Sequence, residues 1–239
     1  MRETVERVVT PFLAVADAAL GAGYSAVLYG SAVRGDFAPG RSDINLLLVL
    51  DDASPTVLRS LGGGLREWRK SGYEPALLLT RAEWDRASDA FPIEITDMRV
   101  AYSVLRGADP LVGVTVAPTD LRRALEREFR GKLLRLRQGY AASAGEPAAL
   151  GALAGASAGT IMVLLRCLLA LLGRAVPAGP LELAAAASAV LGDEGEHLLN
   201  VIRHRSERGW RCSPEEFENY LGAVAHAARF LDQLQPGDS

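Results

Sequence analysis

Two short motifs in the first half of the chain carry the residue types that phosphate chemistry uses. Gly30 and Ser31 follow an apolar run, and Asp43 and Asn45 flank an isoleucine further along. A glycine lets the backbone approach a phosphate closely, and N–H groups at the start of a helix donate to phosphate oxygens, as a serine hydroxyl does. Oxygen-bearing side chains next to such a site bind Mg2+. The two motifs together therefore predict a pocket for a polyphosphate with a metal ion.

The elements around these motifs are predicted to alternate between strands and a short helix. Residues 24–29 are a short apolar run of strand length, and residues 44–50 are a second run that is apolar except for one asparagine. Both patterns favour buried strands. Residues 31–36 are predicted to open a short helix, and the Pro and Gly content of residues 37–42 predicts a loop.

Strand geometry predicts which side chains face the pocket. Side chains two residues apart project from the same face of a strand, so Asp43 and Asn45 are expected to point together toward the phosphate. Ile44 and Leu46 are then expected to point into the hydrophobic core.

The segments LYGSAVRGD (residues 28–36) and SDINL (residues 42–46) resemble the DNA polymerase beta-type nucleotidyltransferase superfamily. Among its members they are most similar to small bacterial aminoglycoside adenylyltransferases. The resemblance implies transfer of a nucleoside monophosphate from an NTP, such as ATP, to a hydroxyl group of an acceptor that the sequence does not identify. It also implies Mg2+ as cofactor, Gly30, Ser31 and Arg34 as nucleotide-binding residues, and Asp43 as a catalytic metal ligand.

The family usually has a third acidic residue on a later strand, and the segment Ile93–Met98 fits that element. If this segment is a strand, Glu94 and Thr96 share one face, while Asp97 shares the other face with the isoleucines. We therefore predict that Glu94 is the third acidic residue, acting as a metal ligand or as the base that deprotonates the acceptor hydroxyl. A structural carboxylate at a strand end is the alternative.

Asn45 departs from the family pattern, which has Asp or Glu at that position. An amide offers its carbonyl oxygen to a metal ion but no negative charge. We predict the metal ligands Asp43, Asn45 and Glu94, with fewer carboxylates than the family uses. Two functions stay open: a metal-dependent nucleotidyltransferase, or a noncatalytic nucleotide-binding or antitoxin-like partner-binding relative.

Composition limits the other classes of function. The chain has 239 residues, a formal charge of -3 and a pI near 5.7, which argue against bulk nucleic-acid binding. Cys167 and Cys212 lack the spacing of a zinc site or a disulfide framework. The charged N-terminal segment has no apolar core typical of a signal peptide, so we expect a cytoplasmic protein. The apolar stretch 148–172 is interpreted as a buried helix, not a membrane span, and a homodimer stays open.

The predicted fold class is α+β with two domains. Residues 1–112 are expected to form a nucleotidyltransferase mixed sheet with flanking helices, and residues 113–239 an all-α helical bundle. Helices with a clear apolar face are predicted at 119–140 and from Pro214 onward. The many arginines of the first of these helices are interpreted as a solvated face, and the alternative is that Lys132 and Arg135 supply charge to the triphosphate.

Overall fold

A computed structural model describes residues 3–40 and 42–234 of the chain. The chain divides into two compact units, of which the first ends at Val116 and the second begins at Ala117. The first unit contains a mixed sheet with flanking helices and the second contains only helices, which confirms the predicted α+β class. Arg41, in the predicted loop 37–42, lies outside the described residues.

The first unit has one four-stranded sheet with the strand order β3-β2-β1-β4. Its strands are β1 (Tyr24–Tyr29), β2 (Asn45–Leu50), β3 (Leu77–Thr80) and β4 (Tyr102–Arg106). Strand β1 is antiparallel to β2 and to β4, and β2 is parallel to β3. The predicted strands at 24–29 and 44–50 are thus confirmed, the second to within a residue.

Helices cover both faces of this sheet. They are α1 (Glu3–Leu20), α2 (Ser31–Arg34), α3 (Pro55–Ser60), α4 (Gly62–Lys70), α5 (Arg81–Trp84) and α6 (Pro92–Val100). On one face, Leu46 and Leu48 of β2 pack with Phe12 of α1 and Trp68 of α4. The other face carries a second apolar cluster, to which β1, β2, α5 and α6 contribute. Both faces of β1 and β2 are therefore buried, as their near-continuous apolar sequences require.

The strand predicted at Ile93–Met98 is wrong, because this segment lies inside helix α6. Pro92 occupies the first turn of α6, where a proline without an N–H is tolerated and its fixed φ favours a helix. Ile95 and Met98 are fully buried at a helical spacing of three residues. A short apolar run does not distinguish a buried strand from a buried helix, and tertiary packing decided this one.

The second unit consists of five α-helices and one short 3-10 turn within the described residues. The helices are α7 (Pro118–Ser143), α8 (Pro147–Leu171), α9 (Pro180–Leu191), α10 (Gly195–His204) and α11 (Pro214–Gln233). Ser213 caps α11: its hydroxyl accepts from the Glu216 N–H, and the Glu216 carboxylate accepts from the Ser213 N–H.

Helix α8 is the central helix of the second unit. Among the described residues it is the only helix long and apolar enough to cross a membrane, with a mean hydropathy of 1.9 over an 18-residue window. Half of that window is buried, and Leu165, Leu168 and their neighbours pack inside the unit. A core helix has the same composition, so this helix is weak evidence for a membrane span.

Candidate functional site

The turn after β1 requires a glycine. Gly30 has φ 76° and ψ -147°, a conformation open to almost no other residue. Its N–H donates to the Ala101 carbonyl (3.1 Å), and its carbonyl accepts from the N–H groups of Val33 and Arg34 (3.0 Å each). A Cβ at position 30 would lie 2.8 Å from Nδ2 of Asn45. The first motif is thus packed directly against the second.

Asn45 is the first residue of β2 and pairs with Tyr29, the last residue of β1. Ile44 and Leu46 are each 1% exposed and belong to the cluster that contains α1 and α4. Their predicted direction into the core is confirmed. Strand alternation puts Asn45 on the opposite face, with Leu47 and the cluster that contains α6.

Asp43 lies two residues before β2 and is exposed. Its Oδ1 accepts a hydrogen bond from the backbone N–H of Glu74 (3.2 Å). Glu74 is held in turn by Trp68, whose Nε1 donates to the Glu74 carbonyl (2.6 Å). The carboxylate of Asp43 is therefore positioned by a segment distant in sequence while remaining accessible to a ligand.

Glu94 lies in the first turn of α6 and is exposed. On a helix, Glu94 and Asp97 are three residues apart and lie on one side, so strand alternation does not separate them. Burial, and then the negative charges of Glu94 and Asp97, raise the pKa of the Tyr29 hydroxyl. Tyr29 pairs with Asn45, so Glu94 and Asn45 both lie near this tyrosine. Asp97 itself is 6% exposed and belongs to the interior.

Arg34 and Ser31 both lie in α2, a single helical turn. Nε of Arg34 is 3.3 Å from Oδ1 of Asp36, and the two side chains are 6% and 17% exposed. Ser31 is partly exposed and directly follows the Gly30 turn. Ser31 thus remains accessible to a ligand, whereas the Arg34 guanidinium is largely buried beside a carboxylate that offsets its charge.

The side-chain oxygens of Asp43, Asn45 and Glu94 suit a divalent cation that keeps some coordination positions open for other ligands. Across residues 3–40 and 42–234, no three His, Cys, Asp or Glu side chains gather into a ready-made metal site. Mg2+, however, commonly takes one or two protein carboxylates and completes its shell with waters and substrate phosphates. The carboxylates of Asp43 and Glu94 and the amide oxygen of Asn45 are donors of that kind, so the residues present fit the ion chemically.

Two aromatic residues of this site were not predicted from the sequence. Tyr29 lies between Asn45 of β2 and Tyr102 of β4 in the sheet. The Tyr102 hydroxyl donates to Oδ2 of Asp109 (2.8 Å). Tyr29 directly precedes the Gly30 motif, and that position is a signal in the sequence. Tyr102 carries no comparable signal, because its strand was not predicted.

Comparison with known proteins gives one family and one fold. Residues 14–102 match the sequence pattern of the nucleotidyltransferase domain family, and this span includes both motifs. None of the curated proteins matches the chain significantly. Among solved structures, the chain is similar to a spectinomycin adenyltransferase from Enterococcus faecialis, solved with ATP and spectinomycin. The TM-score is 0.62 at 12% identity, over 95% of this chain and 99% of the other, which establishes a shared fold.

Proposed function

Because residues 14–102 match the nucleotidyltransferase domain family, we propose that the protein transfers a nucleoside monophosphate from an NTP to a hydroxyl group of an acceptor. The observation that carries this proposal is the packing of the Gly30 turn against Asn45, where Cβ of any other residue would approach the amide to 2.8 Å. This contact joins the phosphate motif to the carboxylate motif, and the exposed Asp43 and Glu94 supply negative charge for a metal ion.

Each residue has a role that follows from its position. The backbone at Gly30 and the hydroxyl of Ser31 bind the triphosphate, and Arg34 supports the turn through Asp36. Asp43, Asn45 and Glu94 hold Mg2+, which when bound offsets the charge of the triphosphate. Glu94 is either a second carboxylate ligand of the metal or the base that accepts the proton of the acceptor hydroxyl, and its exposure to solvent is compatible with both roles.

The acceptor is proposed to be a small polyhydroxylated molecule. The Enterococcus faecialis enzyme with the shared fold is a spectinomycin adenyltransferase, and its structure contains ATP and spectinomycin. We therefore propose ATP as the first nucleotide to test and an aminocyclitol as the first acceptor.

The direct experiment is pyrophosphate release from each NTP with Mg2+ and spectinomycin. The proposal predicts release that requires both metal and acceptor and that falls by about 10²-fold or more in Asp43→Asn, since a charged metal ligand is lost. Arg174→Gln, a change at an exposed residue of the second unit, is the control for handling and folding. Absence of NTP binding by calorimetry and of pyrophosphate release with every acceptor tested would falsify the proposal.

The second candidate is a noncatalytic relative that binds a nucleotide or a partner protein, and Asn45 is the observation that favours it. The variant Asn45→Asp separates the two candidates. If the pocket is otherwise intact, the added carboxylate strengthens Mg2+-dependent NTP binding and raises any transfer rate. If neither binding nor transfer appears in Asn45→Asp, the nucleotide-binding role is also excluded and a partner-binding scaffold remains.

A further inference from the structure

The first unit contains a cleft between α1 and α4 that the proposed transfer reaction does not use. Its volume is about 490 Å³, within the range of small-molecule sites in proteins. The walls come from Val8, Phe12 and Val15 of α1, Gly63 and Trp68 of α4, and Tyr73 beyond the end of α4.

This cleft lies on the other face of the sheet from Asn45. Phe12 and Trp68 belong to the cluster that contains Leu46, whereas Asn45 follows the alternation of Leu47 on the opposite face. A ligand in the cleft and a nucleotide at the Gly30 turn would therefore occupy separate sites.

The walls of the cleft are apolar and aromatic. The rings of Phe12 and Trp68 form an edge-to-face pair with centroids 5.3 Å apart, and Tyr73 stands in a tilted contact with Phe37 (6.2 Å). Val8, Val15 and Tyr73 are only partly buried and present apolar surface to an occupant. Phe12 and Trp68 are each 2% exposed and pack on each other, so the aromatic ring that an occupant would contact is that of Tyr73. A planar ring fits beside it, because edge-to-face and offset contacts add to the burial of apolar area.

Of the described residues that line the cleft, only Arg7 carries a positive charge. Arg7 lines the cleft, is exposed, and has no ion pair among residues 3–40 and 42–234. Glu67 also lines the cleft, but its Oε1 lies 2.7 Å from Nζ of Lys70, which offsets its charge. A guanidinium binds carboxylates in a planar, two-point geometry.

From the apolar walls and the charge of Arg7, we propose that the cleft between α1 and α4 is a binding site for a small aromatic carboxylate. Its ring packs on the accessible parts of Val8, Val15 and Tyr73, and its carboxylate pairs with the Arg7 guanidinium. The proposal concerns a second site and does not depend on nucleotidyl transfer.

The glycines at the start of α4 provide a blocking variant with a matched control. Gly63 lines the cleft and a Cβ on it meets nothing within 4 Å, so Gly63→Leu adds a bulky apolar side chain to the lining of the cleft without a clash. Gly62 does not line the cleft, and its Cβ would meet only Nη1 of Arg66 at 3.4 Å, which makes Gly62→Leu the control. Leucine is a better helix former than glycine, so neither change is expected to unfold α4.

The test is a ligand-observed NMR titration of the full chain with indole-3-acetate and with the uncharged indole-3-acetamide. We expect the acetate to bind with a Kd on the order of 1 mM, as for a fragment-sized ligand, and the amide about two- to fivefold more weakly. Arg7→Gln should reduce the affinity for the acetate to that for the amide, Gly63→Leu should abolish binding, and Gly62→Leu should leave it unchanged.

Three results would each overturn the proposal. They are no binding of the acetate to the unaltered protein, equal affinity for the acetate and the amide, and binding that persists in Gly63→Leu. Because the titration contains no NTP and no Mg2+, its outcome is independent of whether the protein transfers nucleotides.

Discussion

Replacing Gly30 by alanine tests the contact that joins the two halves of the candidate site. The φ of 76° and ψ of -147° lie in a region used almost only by glycine, and a residue with a Cβ there costs about 1–3 kcal/mol. The new Cβ would also lie 2.8 Å from Nδ2 of Asn45, closer than side chains pack. The Asn45 side chain is short and can rotate away from the new Cβ. We therefore expect the close contact to displace the amide and to give a coupling free energy of about 1 kcal/mol between positions 30 and 45.

Gly35→Ala is the matched control for backbone strain. Gly35 has φ 97° and ψ 0°, and a Cβ on it would meet nothing within 4 Å. We expect Gly35→Ala to cost roughly 1–2 kcal/mol from the left-handed backbone alone. In an Asn45→Ala background, the cost of Gly30→Ala should fall by about 1 kcal/mol, while the cost of Gly35→Ala should stay the same.

The free energies of unfolding are measured by urea denaturation followed by tryptophan fluorescence. The chain has three tryptophans, of which Trp68 and Trp84 lie in the first unit and Trp210 in the second. In a Trp210→Phe background the signal therefore follows only the unit that contains Gly30. If Gly30→Ala costs the same with Asn45 as with alanine at that position, the amide does not pack on the glycine and the reasoning about the joined motifs is refuted.

Three further changes test other parts of the structure. Trp68→Phe removes the hydrogen bond to the Glu74 carbonyl and leaves a cavity beside the smaller buried ring, so it should lower the free energy of unfolding of the first unit by about 1–3 kcal/mol, measured by urea denaturation. Ser213→Ala removes the cap of α11 and should cost the second unit about 1 kcal/mol, followed by the fluorescence of Trp210 in a chain without the other tryptophans. The Arg106 guanidinium holds the pKa of the Asp17 carboxyl below its usual range in the folded protein. The free energy of unfolding that this pair contributes is therefore fully present above about pH 4 and is lost as the pH falls through the pKa of Asp17 in the folded state. Asp17→Asn should therefore abolish this acid-dependent loss, and unfolding midpoints of the two proteins that fall in parallel below pH 4 would contradict the assignment.

The sequence alone predicted the local secondary structure around the two motifs of the candidate site. The apolar runs before Gly30 and after Asp43 predicted two strands, and the structure contains both. Alternation along β2 also predicted that Ile44 and Leu46 enter the core, and both are buried. These predictions succeed because a strand of six residues fixes the direction of every side chain by its period of two.

The sequence did not predict the secondary structure around Glu94 correctly. The run from Ile93 to Met98 has strand composition, yet it folds as α6 and packs Ile95 and Met98 against β1 and β2. The choice of Glu94 over Asp97 rested on strand alternation, which does not apply to a helix. Glu94 stays a predicted site residue on other grounds: it is exposed, and its charge acts on Tyr29, whereas Asp97 is buried.

The sequence by itself determined the motifs, the strands that carry them, the α+β class and the substitution of an amide for a carboxylate at Asn45. These features depend on residues close together in the chain, whose spacing sets their geometry. Only the tertiary structure decided that Asn45 packs on Gly30, that Glu74 anchors Asp43, and that α6 brings Glu94 near Tyr29. Those contacts join segments far apart in sequence, and burial of apolar faces on both sides of the sheet selects among them.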